Sequence, residues 1–264
     1  MAKSKEAKST AVVPWQQELA EQAKAAVKTV ESVAVGQFFS VRAGVLAWAG
    51  NPVPGNQMGV VIADGVLEHA FYEGDFDPDQ PASPVCFAFG RDEAEMKPHE
   101  KSTKPQAPKC QGCPNNAFGS AEKGKGKACK NLARLALLPA GQFNAKGEFE
   151  LDDDPAHYQS AAAGFYRVSV TSVKGYAAYV MSVANTLERP PHGVITRIKI
   201  VPDAKSQFKT TFETIESAPD ELMPVLMARH KELAEAIMFP YQAMTEAAEP
   251  KVKNQGKSRG KGKY

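Results

Sequence analysis

The chain of 264 residues contains no apolar run of the roughly 18 residues that a membrane-spanning helix requires. Lysines occur near the start, but no apolar segment follows them as it does in a secretory signal. We therefore expect a cytoplasmic protein. The net charge is also small, at +2, so the molecule as a whole is not a polycation.

Cysteine is scarce as well, with four residues in the whole chain. In a reducing compartment, four cysteines that include one CxxC pair favour metal binding over disulfides. The CxxC spacing lets two thiolates occupy adjacent corners of a tetrahedron, and the two isolated cysteines complete it. Such a closed site leaves no coordination position for a substrate, so we expect structural zinc. The predicted ligands are Cys86, Cys110, Cys113 and Cys129.

Three alternatives to this ligand set remain open. His99 would replace Cys86 in one, the CxxC would be redox-active in another, and no metal would bind in the third. A redox CxxC normally lies at the N-terminus of a helix that follows a strand. Here prolines and lysines precede the pair and "PNN" follows it, which disfavours the redox alternative.

A long segment over residues 91–131 has almost no apolar residues. A structureless loop of this length is uncommon inside a compact domain unless something other than a core holds it. We therefore predict a zinc-binding insertion over 85–131.

Hydrophobic periodicity predicts the remaining elements. Residues 1–13 are expected to be a disordered basic N-terminus, and 241–264 a disordered basic tail. Helices are predicted over 14–34, 171–187 and 219–238, with the regular part of the last helix confined to the residues after Pro224. Strands are predicted over 36–50, 57–74, 85–90, 147–153, 164–170, 190–203 (after an opening turn) and 207–217, with 132–141 a strand or a short helix. The second strand is expected to bend near Asp64–Gly65.

The order of these elements places a helix before the last two strands, as in an OB fold. We therefore predict a mainly β protein with flanking helices. Its domain, 35–240, would be an OB-like five-stranded barrel that carries the insertion, with one helix at each end.

Basic residues are concentrated in two segments. Residues 97–131 contain eight lysines and two glutamates, and residues 249–264 contain six basic residues and one acid. The first segment does not match the phosphate-binding GxxxxGK[ST] pattern, so nucleotide hydrolysis is disfavoured. Lysines held beside a metal site suit the phosphate backbone of a nucleic acid instead. The loop lysines are Lys123, Lys125, Lys127 and Lys130.

Aromatic and basic residues also alternate along the predicted strands. Single-stranded nucleic acids bind to exposed rings that stack on bases and to cations that contact phosphates. The strand residues predicted to contribute are Phe38, Arg42, Trp48, Tyr72, Arg134, Arg167, Arg197 and Lys199.

The string "CQGCPNNAFGSAEKGKGKACKNLARLALL", with "PVCFA" and "VVI…FY" before it, resembles a group of bacteriophage single-stranded-DNA-binding proteins. The resemblance covers roughly residues 35–240. It implies a zinc-containing OB-like fold that coats single strands during replication or recombination, with the four cysteines as ligands. Many such proteins end in an acidic tail that recruits partners, whereas this chain ends in "KNQGKSRGKGKY".

The leading hypothesis is thus a non-catalytic protein that binds single-stranded DNA with little regard to sequence. A phage replication protein such as the polymerase is a further expected partner. A zinc-pinned interaction protein is one alternative. The other is a nuclease that holds Mg²⁺ on Asp75, Asp77 and Asp79 or on Asp152–Asp154. The five histidines are scattered in sequence and are expected at the surface or as caps.

Overall fold

The computed structural model describes residues 38–48, 50–74 and 82–241. The predictions for 1–13, the 14–34 helix, Asp75, Asp77 and Asp79, and the tail beyond Tyr241 lie outside these residues. The strands are β1 Phe38–Arg42, β2 Val45–Trp48, β3 Asn51–Pro52, β4 Gln57–Phe71, β5 Cys86–Gly90, β6 Lys130–Phe143, β7 Phe149–Leu151, β8 Gly164–Val168, β9 Val194–Asp203 and β10 Gln207–Ser217. The helices are α1 Pro155–Ser160, α2 Val170–Leu187 and α3 Met223–Ala236.

All ten strands belong to one mixed, open sheet. Its main path runs β10-β9-β4-β6-β8-β1-β2-β3, while β5 pairs with β4 and β7 with β6. The mainly β prediction is confirmed, but the closed five-stranded OB barrel is wrong. The sheet curls without closing. The Tyr166 hydroxyl on β8 lies 2.6 Å from that of Thr210 on β10, so side chains from these two strands meet although the strands are not neighbours in the path.

The segment predicted as one strand over 36–50 is two short strands of a hairpin. The chain turns at Ala43 and Gly44, which have φ values of 49° and 78°. Positive φ at both central residues is typical of the type I′ turn that joins antiparallel strands. A Cβ on Gly44 would lie 2.2 Å from the Phe208 ring, so the turn requires glycine for space as well.

A bulge in β4 reverses which side chains of the strand face each of the two hydrophobic cores. Ile62 pairs with Leu137 and Asp64 with Ala136, which leaves Ala63 unpaired in the β4–β6 ladder. Side chains of a strand alternate between faces, and one extra residue reverses that alternation. The expected irregularity near Asp64–Gly65 is therefore confirmed within one residue.

One core lies between the sheet and α2, and the other between the sheet and helices α1 and α3. Helix α2 lies close to its predicted bounds, and α3 begins at Met223 with Pro224 in its first turn, as expected. Helix α1 was not predicted. Residues 132–141 form part of strand β6. No helix in the described ranges is both long and apolar enough to cross a membrane.

The insertion is a crossover between two strands that run in the same direction. Strands β5 and β6 both pair antiparallel with β4, along its opposite edges. Since β5 and β6 are therefore parallel to each other, a tight hairpin cannot join them. The residues between Gly90 and Lys130 make this connection with short 3₁₀ turns and loops.

Two histidines that the sequence analysis treated as scattered are stacked in the structure. The His192 and His230 rings lie 4.3 Å apart and 15° from parallel. His230 Nδ1 donates to the Ala63 carbonyl at the bulge, over 2.7 Å, and lies 3.8 Å from Asp64. Arg91 holds that buried carboxylate with two hydrogen bonds of 2.9 and 2.6 Å. Burial, and next His230, lower the pKa of His192, while Asp64 opposes them.

This arrangement predicts a loss of stability in mild acid. The unfolded chain binds a proton at His192 near the ordinary pKa of about 6.5, and the folded protein resists it. The free energy of unfolding should therefore fall as pH decreases below about 6.5. His192→Asn should reduce that fall, measured by urea denaturation at pH 7.5 and 5.5. His69, whose pKa is also lowered, contributes equally to both proteins. An equal fall in parent and variant would contradict the prediction.

Candidate functional site

The four cysteines line one small cavity at the base of the insertion. Its volume is about 20 Å³, where roughly 10–15 Å³ suffices for one water-sized particle. Cys86 begins β5, and Cys129 immediately precedes β6. The other two cysteines come from the insertion itself. The crossover thus brings together residues that are widely separated in sequence.

Backbone hydrogen bonds position the thiols. Cys113 N–H donates to the Cys110 carbonyl over 3.3 Å, which closes the CxxC turn. Gly112 makes that turn at a φ of 79°, a conformation that side chains disfavour. Cys110 N–H donates to the Met96 carbonyl over 2.9 Å, and Cys129 N–H to that of Asn115 over 2.8 Å.

The electrostatics of the cavity disfavour thiolates unless a cation is present. Burial, followed by the neighbouring thiols, raises the pKa of Cys110 to about 11 and that of Cys129 to about 12. Burial also raises the pKa of Cys86. No group of three or more His, Cys, Asp or Glu side chains within the described ranges meets the geometry of a metal site. The cavity brings the four thiols together at one place.

His69, rather than His99, is the histidine at this cavity. His99 does not line it, and its ring stacks on Phe87 at 5.0 Å. His69 lies on β4, is 3% exposed, and lines the cavity beside the cysteines. Its Nδ1 has no hydrogen-bond partner in the described part of the chain. Burial lowers its pKa, so its ring is neutral near pH 7 and available as a donor or an acceptor. Because His69 is far from the cysteines in the sequence, its place at the cavity could not be predicted from the residue order.

The insertion has one apolar anchor that the sequence analysis missed. Met96 is 2% exposed and packs with Ala88 and Cys110. Farther along, His99 N–H donates to the Phe87 carbonyl over 2.7 Å, and Lys104 N–H to the Val85 carbonyl over 2.8 Å. These bonds cover the outer edge of β5, which would otherwise expose unpaired backbone groups.

Three of the four predicted lysines lie in the loop between Cys113 and Cys129, and Lys130 is the first residue of β6. Lys123 and Lys125 are exposed. The Lys127 ammonium donates to Asn116 Oδ1 over 3.0 Å, and that of Lys130 to the Lys127 carbonyl over 3.5 Å. The nearby acid within this loop is Glu122. The exposed side chains of Lys123 and Lys125 give the loop a basic surface.

Arg134 does not lie at the surface, which contradicts its predicted role in nucleic-acid binding. Its side chain is 1% exposed, and its Nε lies 2.6 Å from the fully buried carboxylate of Glu68. Its Nη1 donates to the backbone carbonyls of Ile237 and Phe239, at 3.2 and 2.8 Å. The guanidinium lies 4.2 Å from the centre of the Phe89 ring. Arg134 therefore ties the sheet to the segment after α3.

Arg167 and Tyr72 belong to the same cluster. Arg167 Nε is 2.8 Å from Glu68 Oε1, and its Nη2 donates to the Tyr72 hydroxyl over 3.1 Å. Tyr241 also donates to Glu68. Burial opposes the charge of Arg167, but the Glu68 carboxylate and the two tyrosines outweigh it and raise its pKa. The Arg167 side chain remains 33% exposed. Any contact with a ligand would compete with these bonds.

The other predicted strand residues lie elsewhere on the sheet. Phe38 is 40% exposed and borders the Phe239 ring at 5.5 Å. Arg42 is exposed at the hairpin turn, while Trp48 packs on Phe39 at 4.3 Å. On β9, Lys199 is exposed, whereas Arg197 lies over Phe143 and pairs with Glu213 at 3.5 Å. The predicted residues thus form several separate groups.

Two of the acidic residues considered for Mg²⁺, Asp152 and Asp154, have local structural partners. Asp154 caps α1 by accepting from Ala156 N–H over 2.9 Å. Asp152 accepts from Asp154 N–H over 3.2 Å and lies 3.1 Å from His157. These contacts account for two of the three acids at 152–154.

Comparison with known proteins adds no relative, since no family model, no curated protein and no solved structure matches this chain.

The buried ion pair predicts a structural role for Arg134 that can be measured. Glu68→Ala should lower the free energy of unfolding by about 3–5 kcal/mol, because it leaves the Arg134 charge buried without its partner. The exposed control Lys199→Ala should change it by no more than about 0.5 kcal/mol. Urea denaturation gives both values. If Glu68→Ala lowered the free energy of unfolding as little as Lys199→Ala does, the buried ion pair of Arg134 would be contradicted.

Proposed function

We propose that the protein binds single-stranded DNA without catalysis, and that a zinc ion held by the four cysteines stabilises the basic insertion that makes contact. The observation that carries the proposal is the shared cysteine cavity at the base of a lysine-bearing loop. The loop between Cys113 and Cys129 contains no buried apolar side chain, so the sulfur donors supply the missing anchor.

The side chains that line the cavity are of the type that binds zinc. Four cysteine thiols are a common structural zinc set, and they must lose their protons to bind the ion. The bound ion would supply positive charge that stabilises the thiolates, together with a cross-link between both ends of the insertion. His69 is placed to contact a sulfur or to orient a ligand, because it lines the same cavity.

The exposed charge favours a phosphate backbone as the ligand. Lys123, Lys125 and Lys127 lie within one short loop and Lys130 follows it at the start of β6, while Arg42 and Lys199 add exposed charge on the sheet. Affinity that rests on phosphate contacts depends little on sequence and falls steeply with salt. The resemblance of the cysteine and lysine string to phage single-stranded-DNA-binding proteins supports the same ligand.

The metal proposal predicts one zinc ion per chain by elemental analysis. Cys110→Ser and Cys129→Ser should each reduce bound zinc to background and lower the melting temperature, because the insertion loses its cross-link. His99→Gln is the matched control in the same insertion, and it should retain the metal. Metal-free protein with an unchanged melting temperature and unchanged DNA affinity would contradict the proposal.

The DNA proposal predicts that oligo-dT binds more tightly than duplex in an anisotropy titration. The plot of log K against log salt should have a slope of about −0.7 for each phosphate contact. Replacing the four loop lysines by glutamine should weaken binding and make that slope shallower.

The control variant changes Lys146, Lys174, Lys205 and Lys231 to glutamine, which removes the same charge from exposed positions elsewhere. It should keep most of the parent slope. Equal effects of the two variants would show that total charge, rather than the loop, controls binding. Tighter binding of duplex would contradict the proposal itself.

A further inference from the structure

Phe118 is the most exposed large apolar side chain in the described part of the protein, at 83%. It lies in the loop between Cys113 and Cys129, among glycines and lysines. Single exposed apolar residues are common and need no explanation alone. Here the ring has two further properties: hydrogen bonds hold the backbone around it, and a lysine ammonium lies over its face.

The backbone on both sides of Phe118 is held by hydrogen bonds. Gly119 N–H donates to the carbonyls of Lys125 and Gly126, at 3.2 and 2.9 Å, and Ala121 N–H donates to that of Gly126 at 3.2 Å. The Ser120 hydroxyl donates to the Ala117 carbonyl over 2.6 Å and accepts from Ala128 N–H over 2.9 Å. These bonds form a compact turn that presents the ring outward.

The positive charge near the Phe118 ring indicates which class of ligand could bind over it. The Lys127 ammonium lies 5.3 Å from the ring centre, within the range of a cation–π contact. Lys123 and Lys125 follow in the same loop, and the Lys125 carbonyl accepts from the N–H of Gly119, which adjoins Phe118 in the chain. The cores of protein interfaces are depleted in lysine, whereas sites for single-stranded nucleic acids combine lysine with exposed rings. The surroundings therefore favour a nucleotide over an apolar protein surface.

We propose that Phe118 stacks against an unpaired base while the neighbouring lysines contact the flanking phosphates. This inference rests on the proposed function and assigns its base contact to the insertion instead of to the sheet. A paired base in a duplex keeps its faces covered by its neighbours, so the contact requires an unpaired strand. The contact also does not depend on which base is present, because every base has a π face.

The test compares Phe118→Ala with the parent in anisotropy titrations of oligo-dT over a salt series. Stacking on one ring is worth about 1–3 kcal/mol, so affinity should fall about 5- to 150-fold. The slope against log salt should stay unchanged, since no charge is removed. Phe118→Trp should retain affinity, and its added fluorescence should be quenched by oligo-dT, relative to parent protein that carries only Trp15 and Trp48.

Two controls separate stacking from a general effect. Met181→Ala removes a side chain that is 60% exposed on α2, and it should leave affinity unchanged. An abasic strand keeps the phosphates but offers no base, so the parent and Phe118→Ala should bind it equally. Both variants should keep the parent's melting temperature, because surface substitutions rarely matter by more than about 0.5 kcal/mol.

The outcomes distinguish this inference from the function on which it rests. If the parent binds oligo-dT and Phe118→Ala binds it equally well, or loses as much affinity for the abasic strand, the stacking assignment is wrong and the proposed function stands. If the parent does not bind oligo-dT, both are wrong.

Discussion

The buried carboxylate of Glu68 is the constraint on which the described structure depends. Burying an isolated charge costs several kcal/mol, so the fold must supply partners for it. They come from three directions: Arg134 on β6, Arg167 on β8, and Tyr241 after α3. Arg134 also binds the carbonyls of Ile237 and Phe239. The charge therefore fixes three strands and the chain beyond the last helix relative to one another.

Strand β4 connects this ionic cluster to the cysteine cavity. Glu68 and His69 are neighbours on the strand, and neighbouring side chains point to opposite faces. One contributes the buried carboxylate, and the other lines the cavity. Phe87 borders the same cavity, and its ring lies 5.1 Å from that of Tyr241. The ring of Phe87 thus lies between the cysteine cavity and the segment after α3, and contacts both.

The sequence was informative where its signals were local, and it was not where tertiary contacts decide. The periodicity of β4, β9, β10, α2 and α3 could be read directly, as could the cysteine set that meets at the cavity. The open ten-stranded sheet could not be predicted, because Ala43 and Gly44 are weak turn signals and residues 36–50 therefore resemble one strand. Arg134 looked like a surface cation because its partner Glu68 is distant in sequence. His69 approaches the cysteines only in the folded chain. The same is true of His192 and His230, which are distant from each other in the sequence.

The pairing of β1 with β8 has a consequence for the order in which the sheet is completed. These two strands lie side by side in parallel, with Phe38 opposite Phe165 and Phe39 opposite Tyr166. On a ribosome, β1 leaves the exit tunnel long before β8 has been synthesised, because domains emerge from the N-terminus onward. The first hairpin must wait, with its edge unprotected, until most of the sheet exists.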